Sequence, residues 1–229
     1  MTQDENRPRG NASPPCLAQE IDPTYFDPLA VDPRQAAEMA RWRKAERVRL
    51  LAMRAALSVA ERHAAAETIA GRLDTLLAAR FKTVEGLTIS AWWPIKAELN
   101  LRHWLESLLV RGARVALPVV VTPAAPLAFR LWMPDCKMVQ GFWKIPVPAD
   151  GPEVTPNVTL APVVGWDAAR YRLGYGGVYF DRTLAALDPR PLSIGVGLDA
   201  ARVATIFPQP HDIAMDVIVT ENGVQGNQQ

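Results

Sequence analysis

The chain has 229 residues, 49% of them apolar, and 25 basic residues stand against 24 acidic ones. That length suits one well-packed domain, and a net charge of +1 argues against a protein that grips nucleic acid or anionic lipid through bulk charge. Two cysteines, Cys16 and Cys136, and three scattered histidines give neither a disulfide framework nor a zinc cluster, and no apolar run approaches the roughly 18 residues of a membrane span.

The polar N-terminus lacks the apolar core of a secretory leader, so a cytoplasmic protein is expected. Residues 1–34 hold six prolines and little periodicity. They read as a flexible extension, with Tyr25 and Phe26 as candidate anchors. Order begins near Gln35, where residues 35–57 are rich in Ala, Leu, Arg and Glu, all good helix formers. Ser58 and Glu61 have the capping-box spacing, which predicts a second helix to about Ala79. From Gly86 the pattern changes. LTISAWWP reads as a buried strand ended by Pro94, and NLRHWLESLLVRG as an amphipathic helix stopped at Gly112. ARVALPVVV and LAFRLWM read as strands, the alternating second one as an exposed, antiparallel element. TLAPVVGW predicts a fourth strand, followed by a loop over 167–182. TLAAL reads as helix, LSIGVGL as a strand and DVIVTE as the last one. Continuous apolar strands separated by helices predict a mostly parallel α/β sheet covered on both faces. The single domain is placed at 35–222, with 223–229 as a polar tail.

Four segments could carry chemistry. Residues 172–182, RLGYGGVYFDR, follow a strand, where glycine N–H groups can approach phosphate oxygens. Arg172 and Arg182 add permanent positive charge, and Asp181 could hold magnesium. The same residues also suit a tight turn with solvated arginines. On the first helix, Arg43, Arg47 and Arg54 fall within roughly a 40° arc at about 100° per residue, bordering the apolar stripe. Arginines there also snorkel over a core edge. Trp92, Trp93 and Glu98 suit a flat heteroaromatic ligand with N–H donors, or equally a core tryptophan pair beside a helix start. Asp212 and Asp216 are candidate metal or backbone ligands, and His211 reads as a turn residue. Residues 143–148, WKIPVP, form an aromatic, proline-stiffened loop of open role.

Together these residues resemble the 5-formyltetrahydrofolate cyclo-ligase (methenyltetrahydrofolate synthetase) family over roughly residues 43–221. RLGYGGVYFDR is similar to that family's RLGxGxGYYDR, and the ALS at 56–58, ALPVVV at 116–121, GFWKIPVP at 141–148 and HDIAMDVIVTE at 211–221 follow in the family's order. The resemblance implies a three-layer α/β/α, Rossmann-like domain with a helical N-terminus. It implies ATP- and magnesium-dependent cyclisation of 5-formyltetrahydrofolate to 5,10-methenyltetrahydrofolate, with release of ADP and phosphate. By that resemblance ATP falls to Arg43, Arg47, Arg172, Gly174, Gly176, Gly177, Tyr179 and Phe180. The folate falls to Trp93, Glu98, Tyr175, Gly176, Gly177, Val178 and Tyr179. Arg172 and Tyr179 are the catalytic candidates, and Asp181 and Asp212 the magnesium ligands. A monomer acting on small molecules is expected, without nucleic-acid or membrane partners. The chain departs from the family pattern at Val178 and Arg170, where glycine is usual, and at Arg43, Trp92, Asn100 and Ala201. Val178 is strained if its φ is positive and harmless if it is negative. A non-catalytic, folate-binding or regulatory relative is the alternative reading.

Overall fold

The computed structural model describes residues 33–226. The extension expected at the N-terminus, with Tyr25 and Phe26, falls largely outside those residues, as does Cys16. Cys136 is a free thiol. Helix α1 spans Pro33–Ala56 and α2 spans Val59–Phe81. Between them Ser58 forms the expected capping box: the Glu61 N–H donates to Ser58 Oγ at 3.2 Å, and the Ser58 N–H to Glu61 Oε2 at 2.7 Å. Helix α2 buries Ala66, Ile69, Leu73 and Leu77, one face at helical spacing.

Strand β1 (Thr88–Ser90) leads through helix α3 (Arg102–Val110) to β2 (Arg114–Val119). Helix α3 buries Trp104, Leu105 and Leu108, and ends where Gly112 takes a φ of 82°. Strand β3 (Ala128–Trp132) pairs antiparallel with β2, as its alternation predicts. A hairpin follows, β4 (Met138–Gln140) with β5 (Pro146–Pro148), turning through residues 141–145. Strand β6 (Val158–Pro162) returns to pair parallel with β1.

Here the structure corrects the sequence reading. The apolar run TLAPVVGW is two strands. After β6 the chain turns, and β7 (Gly165–Trp166) forms its own hairpin with β8 (Arg172–Leu173). Buried Asp167 organises that turn, accepting from the N–H groups of Ala169, Tyr171 and Ile206. Helix α4 (Tyr179–Ala186) begins four residues before TLAAL, so much of the expected loop is regular structure. Strands β9 (Leu192–Val196) and β10 (Val217–Val219) follow in parallel. A further strand, β11 (Val224–Gly226), pairs antiparallel with β10, so the sheet extends into the segment read as a polar tail.

The sheet order is β11-β10-β9-β6-β1-β2-β3. From β1 the chain steps one way through α3 to β2. From β6 it steps the other way through α4 to β9. Parallel crossovers are right-handed, so opposite steps place α3 and α4 on opposite faces, giving three layers. The strand order reverses between β1 and β6. That switch point opens a crevice at the carboxyl ends of the strands.

Candidate functional site

A cavity of about 620 Å3 occupies this crevice. The segment after β1 supplies Trp92, Trp93 and Glu98, and the ends of β2 and β6 supply Pro118 and Pro162. The β4–β5 turn supplies Phe142 and Trp143, and the glycine loop Tyr175, Tyr179 and Phe180. Trp93, Glu98, Tyr175, Tyr179 and Phe180, the residues that the resemblance gives to ligands here, thus share one wall system with Trp92 although they span almost ninety residues.

Glu98 is buried. Its Oε2 accepts from the Ile95 N–H at 2.9 Å, which folds the chain back after Pro94. Burial pushes its carboxyl above the ordinary carboxylate value, against the lowering effects of the Ile95 N–H, the Arg54 charge and the Tyr175 hydroxyl. Tyr175 is likewise raised, by burial first and by the Glu98 charge second. Its hydroxyl accepts from Arg54 Nη2 at 2.6 Å. Trp93 packs edge-on against Trp132, with centroids 6.4 Å apart. The aromatic rim is completed by Trp143, which meets Tyr179 edge-on at 5.6 Å. A Cβ at Gly177 would fall 2.8 Å from Tyr179 Cδ2 and 2.9 Å from Trp143 Cη2, so that approach requires glycine.

On the other side of the glycine loop lies the arginine face of α1. Arg47 Nε donates to the Gly174 carbonyl at 2.6 Å, and its guanidinium packs 3.6 Å from where a Cβ would stand on Gly176. Burial and the neighbouring charge of Arg43 both lower the Arg47 pKa. Arg43 pairs with Asp212 at 3.0 Å. Arg172 pairs with Asp181 at 2.8 Å, with both side chains about nine-tenths buried, and its guanidinium lies over the Phe180 ring. Burial lowers Arg172, while Asp181 and Asp212 oppose that shift. The Ile213 N–H donates to Asp181 Oδ1 at 3.2 Å, which brings the two aspartates side by side in the fold.

The two aspartates are hard oxygen donors of the kind magnesium takes with substrate phosphates. No group of three or more His, Cys, Asp or Glu residues that could hold a metal exists among the described residues. The donor set therefore fits a metal shared with a phosphate ligand, not a self-sufficient cage. Asp216 is a backbone ligand instead: its Oδ2 accepts from the N–H and hydroxyl of Ser193. His211 is an exposed turn residue.

Val178 stands at the N-cap of α4 with φ 54° and ψ 13°. Of the two sequence alternatives, the strained one holds. Arg170, the other departure noted above, has φ 67°. Sequence reasoning left Arg54 out of the site although it lies on the same helical arc. It also missed Lys96, whose Nζ sits 5.6 Å over the Tyr175 ring. Nothing local marks Lys96, because its position follows from a positive φ of 54° after Pro94.

These features define an α/β protein with a small-molecule cavity at the topological switch point and an arginine-backed glycine loop on its rim. The model of the 5-formyltetrahydrofolate cyclo-ligase family matches residues 39–221. The chain is 32% identical to the 5-formyltetrahydrofolate cyclo-ligase of Mycolicibacterium smegmatis over 182 residues, 76% of this chain and 91% of that one. It is 30% identical to the enzyme of that name from Escherichia coli over 144 residues, 60% of this chain and 79% of the other. The solution structure of Aquifex aeolicus 5,10-methenyltetrahydrofolate synthetase superposes with a TM-score of 0.68 at 27% identity, covering 80% of this chain and 92% of that one. The chain belongs to the 5-formyltetrahydrofolate cyclo-ligase family and is, by that membership, a ligase. No helix among the described residues is long and apolar enough to cross a membrane.

Proposed function

We propose that the chain cyclises 5-formyltetrahydrofolate to 5,10-methenyltetrahydrofolate, using ATP with magnesium and releasing ADP and phosphate. The observation that carries this reading is the position of Tyr175. Its ring lines the apolar cavity while its main chain belongs to the glycine loop that Arg47 braces. A phosphoryl donor on the loop and an acceptor in the cavity would therefore meet at one residue.

A formamide oxygen is a poor leaving group. Transfer of the γ-phosphoryl group to the formyl oxygen breaks the bond to ADP and makes an activated imidate phosphate. N10 of the same folate then attacks the formyl carbon and loses its proton. Phosphate leaves with the C–O bonding pair as the five-membered ring closes. No protein nucleophile is needed, so the side chains must align and neutralise. Arg43, Arg47 and Arg172 would face the phosphates, with the N–H groups of Gly174, Gly176 and Gly177. Phe180 would flank the nucleotide. Tyr179 and Arg172 would act at the proposed transfer. Trp93 and Tyr175 would flank the folate ring, Glu98 would accept its N–H groups, and Val178 would border it. Magnesium, held by Asp181 and Asp212, would neutralise phosphate charge.

Such binding is an exchange. Arg43 and Arg172 already satisfy the two aspartates. Asp181 and Asp212 would hold the metal and the arginines the phosphates, so each side chain would give up its present partner to its own ligand. The decisive assay is absorbance in the methenyltetrahydrofolate band with ATP, magnesium and 5-formyltetrahydrofolate, each omitted in turn. A rise that needs all three is expected. Folate binding without product would replace this reading with a non-catalytic relative.

A further inference from the structure

Of the three arginines on the α1 arc, Arg54 is the one to which the proposed chemistry gives no task. It is also costly to keep where it stands. Arg54 is only 7% exposed. Among the described residues it forms no ion pair with a carboxylate, and its Nε has no hydrogen-bond partner. A buried charge so poorly compensated destabilises a fold, and an apolar side chain of similar volume often replaces one without loss. Packing therefore does not account for Arg54.

What Arg54 does hold is Tyr175. Its Nη2 donates to the Tyr175 hydroxyl at 2.6 Å, and its guanidinium carbon lies 5.9 Å from the centre of that ring. About two turns earlier on the same helix, Arg47 donates to the Gly174 carbonyl. One helix thus grips two consecutive loop residues, the first by its main chain and the second by the far end of its side chain. Arg54 also reaches Glu98: the two line a small common cavity of about 10 Å3. The Arg54 charge and the Tyr175 hydroxyl both favour the ionised form of Glu98 against burial.

We infer that Arg54 is a positioning residue for the substrate: from α1 it holds the hydroxyl end of Tyr175 and sets a permanent positive charge beside Glu98, so that both side chains stand ready for the folate ring. This rests on the folate reading given above and deepens it. Arg54 acts through those two residues and touches neither ligand. Its choice of partner matters. A direct ion pair would occupy the Glu98 oxygens, as Arg172 occupies Asp181. By bonding the tyrosine instead, Arg54 supplies charge to Glu98 and leaves the carboxylate free to accept N–H groups from a ligand.

The test compares the full chain with Arg54→Met, which keeps the bulk and loses the charge, Arg54→Lys, which keeps the charge, and Tyr175→Phe. Binding of 5-formyltetrahydrofolate is read by tryptophan fluorescence, since Trp92 and Trp93 line the cavity, and ATP binding by calorimetry. Arg54→Met should weaken folate binding about tenfold near neutral pH, the worth of one charge-assisted contact, while ATP changes less than about twofold. Its denaturation midpoint should be no lower than that of the wild type. Arg54→Lys should recover much of the affinity. Combining Arg54→Met with Tyr175→Phe should cost little more than either alone, because both break one link. Folate binding also carries a pH signature. Glu98 faces Arg54 from α1, Tyr175 from the glycine loop and Lys96 from its own segment, and shares a wall with Arg62 and His63 of α2 and Arg102 of α3. Of these only Arg54 changes in Arg54→Met. With burial less opposed, the Glu98 carboxyl rises further, and the acid limb of folate binding moves to higher pH. Unchanged folate affinity, an unmoved acid limb or additive losses in the double variant overturns the inference. Equal weakening of folate and ATP with a fallen midpoint also overturns it and makes Arg54 a structural residue. If the wild type binds no 5-formyltetrahydrofolate, the folate reading falls and this inference with it, whereas wild-type binding that Arg54→Met matches sinks this inference alone. Fluorescence needs no turnover, so Arg54-dependent binding without methenyl product would sink the cyclisation reading and leave the role of Arg54 standing.

Discussion

The two rims of the large cavity handle charge in opposite ways. On the glycine-loop rim the cations are engaged: Arg43 by Asp212, Arg172 by Asp181 and Arg47 by the Gly174 carbonyl. On the Glu98 rim, Arg62 donates to the Leu57 carbonyl, Arg102 to Asn100, and Lys96 lies over Tyr175; none of the three forms an ion pair among the described residues, and the buried Glu98 carboxyl feels the Lys96 charge. The first rim can take a ligand only by trading one partner for another. The second can take one by simple addition. In the proposed reaction the first rim would take the nucleotide phosphates and the second would border the folate.

The sharpest way to break the loop rim is to remove its buried guanidinium. Arg172→Ala leaves Asp181 buried and unpaired, which costs roughly 3 kcal/mol or more. It also removes a charge that the proposed transfer uses. We expect loss of detectable turnover together with a clear fall in the denaturation midpoint. An intact midpoint with lost turnover would assign Arg172 to catalysis alone. Full turnover would remove it from the site.

The matching change on the other rim is Glu98→Gln. It replaces one carboxylate oxygen by an amide donor and, on the proposed folate role of Glu98, should lower kcat/KM by about tenfold to a hundredfold, the worth of a hydrogen bond to a charged group. Its stability effect has the opposite sign. Burial raises the folded pKa of Glu98 above its unfolded value. The stability this contributes is complete below the unfolded value and is lost as pH rises through the folded one. Glutamine stays neutral throughout. Denaturation midpoints between about pH 4 and pH 8 should therefore show the variant gaining on the wild type as pH rises, and converging with it in acid. A gap independent of pH would mean that Glu98 is not held in its raised state.

Asp212→Asn tests whether the loop rim really works by exchange. It frees Arg43 without emptying the space, and an asparagine oxygen can still accept the Gln209 N–H that Asp212 takes at 2.7 Å. Nucleotide binding without magnesium should strengthen several-fold, because Arg43 no longer has to leave a carboxylate, and the gain from added magnesium should shrink. Calorimetric titration of ATP with and without the metal reads both. A magnesium gain equal to that of the wild type would show that Asp212 takes no part in the trade.

The two rims were also unequally legible in the sequence. The loop rim announces itself, because glycines and arginines packed into residues 172–182 carry their chemistry in local order. The capping box at Ser58 and Glu61 was equally plain, being a four-residue pattern. The Arg54–Tyr175–Glu98 link joins positions 121 and 77 residues apart, and no local period marks it. Strand boundaries failed for a related reason. Val163 and Val164 continue the apolar run of β6, so only the tertiary hydrogen bonds of Asp167 reveal that Gly165 begins a separate hairpin. Strand β11 has three residues, VQG, one of them a glycine that disfavours strands, and exists because β10 offers an edge.

The smallest expected effect separates two residues that share one anomaly. Val178 and Arg170 both adopt positive φ, 54° and 67°, the left-handed region that favours glycine. Arg170 is anchored. Its Nε donates to the Met215 carbonyl at 3.0 Å, and its own carbonyl accepts from the Met215 N–H at 3.0 Å. Val178 has no side-chain hydrogen bond to offset a left-handed, β-branched conformation. Relieving that strain is worth about 1–2 kcal/mol, less roughly 0.5–1 kcal/mol for the freedom glycine adds to the unfolded chain. Val178→Gly should therefore raise the melting temperature by about 2–4 °C, whereas Arg170→Gly, which also gives up the bond from its guanidinium, should lower it. Turnover measured on Val178→Gly then shows what the valine does to chemistry. A faster enzyme would mean that the loop has given up rate at this position. An unchanged one would mean that the strain is borne by stability alone, because the N–H groups of Gly174, Gly176 and Gly177 keep their directions with either residue behind them.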